Sequence, residues 1–87
     1  MTEGKRAFFQ EELSIMLSES YRLLARSEEY EESEDYSHAH ACLKQSEYLS
    51  SQYRAIVWTL SKLGYTVRSE YPPALDAERV VITGGEK

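Results

Sequence analysis

His38, His40 and Cys42 are the residues of this 87-residue chain whose types and spacing most resemble a metal site. His38 and Cys42 are four residues apart, so in a helix they project from the same face, and Glu34 or Asp35 could supply a third ligand. His40 points about 200 degrees away at 100 degrees per residue. Equally, the histidines fit exposed positions in a first helical turn, and Cys42 fits a small core residue. We therefore assign no metal ligand and keep metal binding through His38 and Cys42 as an alternative function.

Other catalytic motifs are missing from the sequence. Its many serines lack the Gly-x-Ser-x-Gly elbow of a nucleophile, and no histidine and acid pair can be identified as their base. The ending "TGGEK" lacks the spacing of a phosphate-binding loop. We therefore expect a protein that is not an enzyme and that has no cofactor.

The most unusual stretch is residues 27–36, which contain six carboxylates and no lysine or arginine, a local charge of -6 in a chain of net charge -5. Such a balance disfavours direct binding of nucleic acid, as does an acidic rather than basic turn between helices. The run is either a solvated bend or an anionic patch that docks on a basic protein and imitates nucleic-acid phosphate. The residues that we assign to partner binding are Glu28, Tyr30, Glu31, Glu32, Asp35, Tyr36 and Trp58.

Two long helices are predicted because neither glycine nor proline occurs between Gly4 and Gly64. Apolar residues recur at steps of three and four over about residues 6–28 and again over about residues 35–63. The first stripe is Phe9, Leu13, Met16 or Leu17, Tyr21 and Leu24. The second is Ala39, Cys42, Leu49, Tyr53, Ile56, Leu60 and Leu63, with Ser46 as its one polar gap.

A bend between the helices is predicted around residues 30–33, because the first stripe becomes polar beyond Leu24 and like charges there oppose a helix. Ser33 is the expected N-cap of the second helix. The prediction is an antiparallel helical hairpin. A single continuous helix in a long coiled coil is the alternative architecture.

Gly64 is expected to end the second helix in the left-handed conformation, with Tyr65 packing back on Leu60. Beyond it, the composition changes around a diproline, and a short extended run at Val67 could pair with a strand at 79–83. Such a ribbon would have to lie on the helices or add to another subunit, and the other interpretation is a frayed tail. We divide the chain into a helical hairpin, residues 1–66, and an extended C-terminal segment, residues 67–87, partly flexible.

Self-association is predicted because the apolar sector of each helix is wider than one antiparallel neighbour can cover. Two hairpins that form a four-helix bundle would cover it, or else the C-terminal segment folds back within one chain. Trp58, off the main stripe, either stacks on Arg54 or is buried under a partner. The predicted oligomer core is Leu13, Leu17, Leu24, Leu49, Ile56, Leu60 and Leu63.

One cysteine allows no internal disulfide, and the sequence contains neither a signal-peptide core nor a membrane span. We expect a soluble, cytoplasmic, mostly helical protein without a membrane partner. The expected function is that of a small acidic interaction or regulatory module that self-associates. The alternatives are an acidic inhibitor of a basic nucleic-acid-binding protein and the metal-binding protein considered above.

Overall fold

The protein folds as a helical hairpin with a small β-ribbon packed on it, in a computed structural model that describes residues 1–70 and 79–85. Helix α1 and helix α2 run antiparallel, and strands β1 and β2 form a two-stranded antiparallel sheet. The predicted hairpin and the predicted ribbon are both confirmed. The elements are α1 Glu3–Glu32, α2 Tyr36–Lys62, β1 Tyr65–Glu70 and β2 Arg79–Gly84.

The bend lies later in the chain than the sequence predicts. Helix α1 continues to Glu32, and the reversal occupies residues 33–35, where Glu34 has a φ of 62°. The prediction of a bend at residues 30–33 is therefore wrong. Its basis was repulsion among glutamates, which costs only a few tenths of a kcal/mol per pair. Each added helical residue closes a backbone hydrogen bond, and on an exposed surface that outweighs repulsion of this size.

Asp35, not Ser33, is the N-cap of α2. The Asp35 carboxylate accepts a hydrogen bond from the backbone N–H of His38 at 3.3 Å. Ser33 instead caps the end of α1, and its hydroxyl donates to the carbonyl oxygens of Glu29 and Tyr30. The N-cap of α2 thus lies two residues later than the sequence predicts, as does the bend.

Gly64 ends α2 as predicted, with a φ of 95° and its N–H donating to the carbonyl of Ser61 at 3.1 Å. This left-handed geometry costs glycine little, because glycine has no Cβ to clash with the following carbonyl. The chain reverses at this point and enters β1 at once.

The contact seam between the helices is built mostly from small residues, with a leucine from each helix near the ribbon. In α1 it repeats at steps of seven residues, and in α2 two of its buried members are alanine and serine. The Ser20 and Ser46 hydroxyls are 3.1 Å apart, and the Ser46 hydroxyl donates to the Ser20 carbonyl at 3.0 Å. Small side chains let the helices approach closely. The buried helical residues are Leu13, Ser20, Ser27, Ala39, Ser46 and Leu60.

The ribbon covers one face of the hairpin, with β2 along α1 and β1 along α2. Val80 and Ile82 are 2% and 1% exposed and form the hydrophobic core together with Leu13 and Leu60. The backbone N–H groups of Val80 and Ile82 donate to the Ser14 hydroxyl and the Gln10 amide oxygen, both at 2.9 Å. Side chains of α1 thereby satisfy the outer edge of β2, which would otherwise present unpaired backbone groups.

Candidate interaction surface

One face of the helical hairpin is left without a covering element among the described residues. The side chains that hold β2, Gln10 and Ser14, lie about 60 and 100 degrees to one side of Leu13 around α1. Phe9 and Met16 lie about 40 and 60 degrees to the other side. They therefore belong to the face of the hairpin opposite the ribbon. Both also pack against the core cluster of Leu13, Leu60, Val80 and Ile82.

Two apolar rows, each with a strict spacing of seven residues, run along this face. All of their side chains are half-buried except Leu63, which is 66% exposed. A repeat of seven is typical of helix positions that pack against further helices in a left-handed supercoil. We call this surface the open face. It comprises Phe9, Met16, Leu23 and Tyr30 of α1, and Cys42, Leu49, Ile56 and Leu63 of α2.

A groove with a volume of about 510 Å³ lies at the end of the open face that is distant from the bend. Its walls are mostly apolar and include Phe9, Ile56 and Leu63. Lys5 is its one charged lining side chain within residues 1–70 and 79–85. The groove is thus an apolar depression with a cation at its rim.

At the opposite end, Tyr30 stacks on His38, with ring centroids 5.1 Å apart and an angle of 28° between the planes. The His38 Nδ1 atom is 2.7 Å from the Asp35 Oδ2 atom. This ring hydrogen bond, followed by the one from the His38 backbone N–H, lowers the pKa of the Asp35 carboxyl below its ordinary value. The bend therefore holds an ordered group of three side chains that the charge pattern alone does not reveal.

The predicted partner-binding residues fall into two separate places. Six of them surround the bend, where Tyr36 is exposed, Asp35 and Tyr30 are half-buried, and the glutamates are exposed. Trp58 lies 22 residues further along α2 than Tyr36, about 33 Å at 1.5 Å per residue. It is 64% exposed, and Lys62 lies over its ring, 5.3 Å from the centroid, where one of the two interpretations of the sequence had Arg54. The glutamates at the bend are Glu28, Glu31 and Glu32.

The predicted oligomer core is also divided by the fold. Leu13 and Leu60 are buried within the chain, and Leu17 packs against the same cluster. Leu24 is exposed, and it lies about 20 degrees from Leu13 on the side of Gln10, away from the open face. The remaining three, Leu49, Ile56 and Leu63, belong to the α2 row of the open face, and Ile56 also packs against the core cluster. The oligomer-core prediction did not include their counterparts in α1, Phe9, Met16 and Leu23, although the spacing of seven could have identified them.

The two ends of the molecule have formal charges of opposite sign. The bend end, residues 27–36, has a formal charge of -6. The opposite half, residues 1–12, 54–70 and 79–85, contains six basic and four acidic side chains, a formal charge of +2. Because the helices are antiparallel, these two groups lie at opposite ends of a body about 53 Å long.

Within the described ranges, no group of three or more histidine, cysteine, aspartate or glutamate side chains is placed to hold a metal ion. His38 is directed to Asp35, and Cys42 occupies the open face. Neither α1 nor α2 contains an apolar stretch of the length that crossing a bilayer requires. Comparison of the chain with protein-family models, with curated proteins and with solved structures finds no match. The physical properties of the open face and of the bend therefore carry the functional argument.

Proposed function

We propose that this protein is a non-enzymatic interaction module that self-associates through its open face, so that two helical hairpins form a four-helix bundle. The observation that carries the proposal is the pair of apolar heptad rows opposite the ribbon. A heptad row packs most favourably against another helix, since its knobs then fit between four side chains of the facing helix. A second copy offers two such helices with the same spacing.

The dimensions of the open face support this assembly. From Phe9 to Tyr30 the α1 row spans 21 residues, about 32 Å at 1.5 Å per residue, and two helices side by side are about 20 Å wide. The projected area is therefore roughly 600 Å², close to the about 800 Å² that each partner contributes to a stable interface of standard size. Stable complexes have interfaces of about this size, and how tightly two copies bind then depends on the packing of the apolar core.

The test is the molar mass in solution, measured by size-exclusion chromatography with light scattering. We expect twice the chain mass of 10.1 kDa at micromolar concentration. Leu23→Glu places a carboxylate on the open face and should give a folded monomer. Ile15→Glu is the matched control, because Ile15 is an exposed apolar residue on the outer side of the same helix. Circular dichroism establishes that both variants keep their helices.

A monomeric wild-type protein at micromolar concentration would contradict the proposal. So would a Leu23→Glu variant that remains a dimer, or an Ile15→Glu variant that dissociates as readily. In the last case the contact would lie on the outer side of α1.

A second candidate function is docking of the acidic bend on a basic protein, as an inhibitor that imitates nucleic acid. The exposure of Glu28, Glu31 and Glu32 favours it, since a patch of this kind attracts cationic partners over several ångströms. A lysine-rich probe peptide should then bind less tightly as salt rises, and the double variant Glu31→Lys/Glu32→Lys should abolish binding. Binding that the double variant leaves unchanged would rule this candidate out.

A further inference from the structure

We infer that the two copies associate antiparallel, so that the acidic bend of each lies against the groove end of the other. This inference rests on the self-association proposed above and specifies the arrangement of the partner. Two open faces can meet about a two-fold axis in only two ways that keep the helices aligned. The axis lies either along the helices, which puts both bends at the same end, or across them, which puts the bends at opposite ends.

Charge separates the two arrangements. With the axis along the helices, two clusters of charge -6 face each other at one end of the bundle, and the cationic halves face each other at the other end. With the axis across the helices, each acidic bend meets a cationic half. Charges within about 8 Å interact strongly at physiological salt. The charged side chains that border the open face therefore determine which of the two dimers has the more favourable electrostatic energy. Lys5 at the groove and Asp35 beside the Tyr30 and His38 stack lie at that border, as does Glu12, which is half-buried and 100 degrees from Leu13 on the side of Phe9.

The shapes of the two ends also match. The α1 row is symmetrical about a point midway between Met16 and Leu23, so a crossing two-fold axis there puts Tyr30 of one copy opposite Phe9 of the other. Phe9 lines the groove of about 510 Å³. The aromatic pair of Tyr30 and His38 thus fills the groove in the antiparallel dimer. In the parallel dimer, groove faces groove and both remain empty.

Distances between spin labels test the arrangement directly. In a Cys42→Ser background, a label at Glu32→Cys lies 12 to 13 residues from the midpoint of the α1 row. Glu32, like Ser14, lies about 100 degrees from Leu13 on the side of the ribbon, so both labels point away from the interface. The antiparallel dimer therefore predicts a separation of about 40 Å or more between the labels, and the parallel dimer predicts about 30 Å or less. Ser18→Cys, close to the midpoint, is the matched control and should give less than about 30 Å in either dimer.

Each outcome has a separate meaning. A separation of about 40 Å or more supports the antiparallel arrangement. A short separation at Glu32→Cys, with a dimeric mass by light scattering, overturns it and leaves the self-association standing. A monomeric mass without any dipolar signal at either position overturns the proposed function itself.

The salt dependence of dimerisation gives a second measurement that needs no label. Attraction between opposite ends weakens as salt rises, so the dissociation constant of the antiparallel dimer should increase between 50 and 300 mM sodium chloride. Lys5→Glu should increase it about two- to fivefold at low salt, the range of exposed ion pairs. Lys44→Glu, on the outer side of α2, should leave it unchanged. A dissociation constant that stays constant or falls with salt would overturn the inference.

Discussion

Ser46→Leu tests whether the small residues of the seam set the distance between the helices. Ser46 is 2% exposed and exchanges hydrogen bonds with Ser20 across the seam. Leucine would add three carbon atoms where there is no space for them, and overpacking of this kind costs about 1–3 kcal/mol. Loss of the hydroxyl hydrogen bonds costs about 1 kcal/mol more, and the better helix propensity of leucine returns a few tenths. We expect a net loss of about 2–4 kcal/mol in the free energy of unfolding.

This loss is a large share of the stability that a chain of 87 residues can have, about 4–13 kcal/mol at 0.05–0.15 kcal/mol per residue. The assay is urea unfolding followed by circular dichroism at one fixed protein concentration, since self-association would make the apparent stability depend on concentration. Ser46→Ala removes the hydroxyl without adding volume and should cost about 1 kcal/mol or less.

Ser51→Leu is the matched control, because the same substitution is made at an exposed position about 140 degrees away around α2. A surface change of this kind should alter the free energy of unfolding by no more than about 0.5 kcal/mol. If Ser46→Leu and Ser51→Leu agree within that margin, the helices are not in close contact at Ser46, and the account of the seam is refuted.

Three further predictions concern the core, the end of α2 and the bend. Leu13→Ala, at a fully buried position, should reduce the free energy of unfolding in urea by about 3 kcal/mol, and a loss below about 1 kcal/mol would contradict its place in the core. Gly64→Ala should cost about 1–2 kcal/mol by the same assay through backbone strain alone, because an added Cβ would meet nothing within 4 Å; an unchanged stability would argue against the positive φ. Asp35→Asn should lower the melting temperature near neutral pH, because the pKa of the Asp35 carboxyl is lowered in the folded state and its ionised form is stabilising. This difference from wild type should shrink as the pH falls below about 4 and through the lowered pKa, and a difference that persists at lower pH would show that the carboxylate charge is not its source.

The helical hairpin could be predicted because strong local signals determine it, whereas the sequence allows either a ribbon or a frayed tail after Gly64. The stretch between Gly4 and Gly64 contains no helix breaker, and its apolar periodicity extends over many turns. Gly64 ends α2 because glycine, which has no Cβ, adopts the left-handed conformation at little cost. A ribbon of two short strands is not stable by itself, so its formation depends on contacts with the helices, which local signals do not reveal.

The bend and the seam could not be predicted with the same success, because each depends on small terms or on tertiary contacts. The choice between a bend at residues 30–33 and one at residues 33–35 involves tenths of a kcal/mol per pair of charges. In the seam, Ser46 is a polar gap in the second apolar stripe and Ser20 lies outside the first, although both are buried and bonded to each other. The hydrogen-bond partners of those hydroxyls lie on the facing helix. A single sequence does not show which faces of the two helices are in contact.

The small residues of the seam explain why the hairpin has two apolar faces. Because serine and alanine let α1 and α2 approach closely, the larger side chains on either side of the seam are turned outward onto two opposite faces. On one face, Val80 and Ile82 of β2 cover those side chains and bury themselves almost completely. On the other, no element of residues 1–70 and 79–85 covers the rows that begin at Phe9 and Cys42. The chain therefore completes half of its own core by folding back its C-terminal strands, and the heptad spacing of the remaining half matches what the helices of a second hairpin would supply.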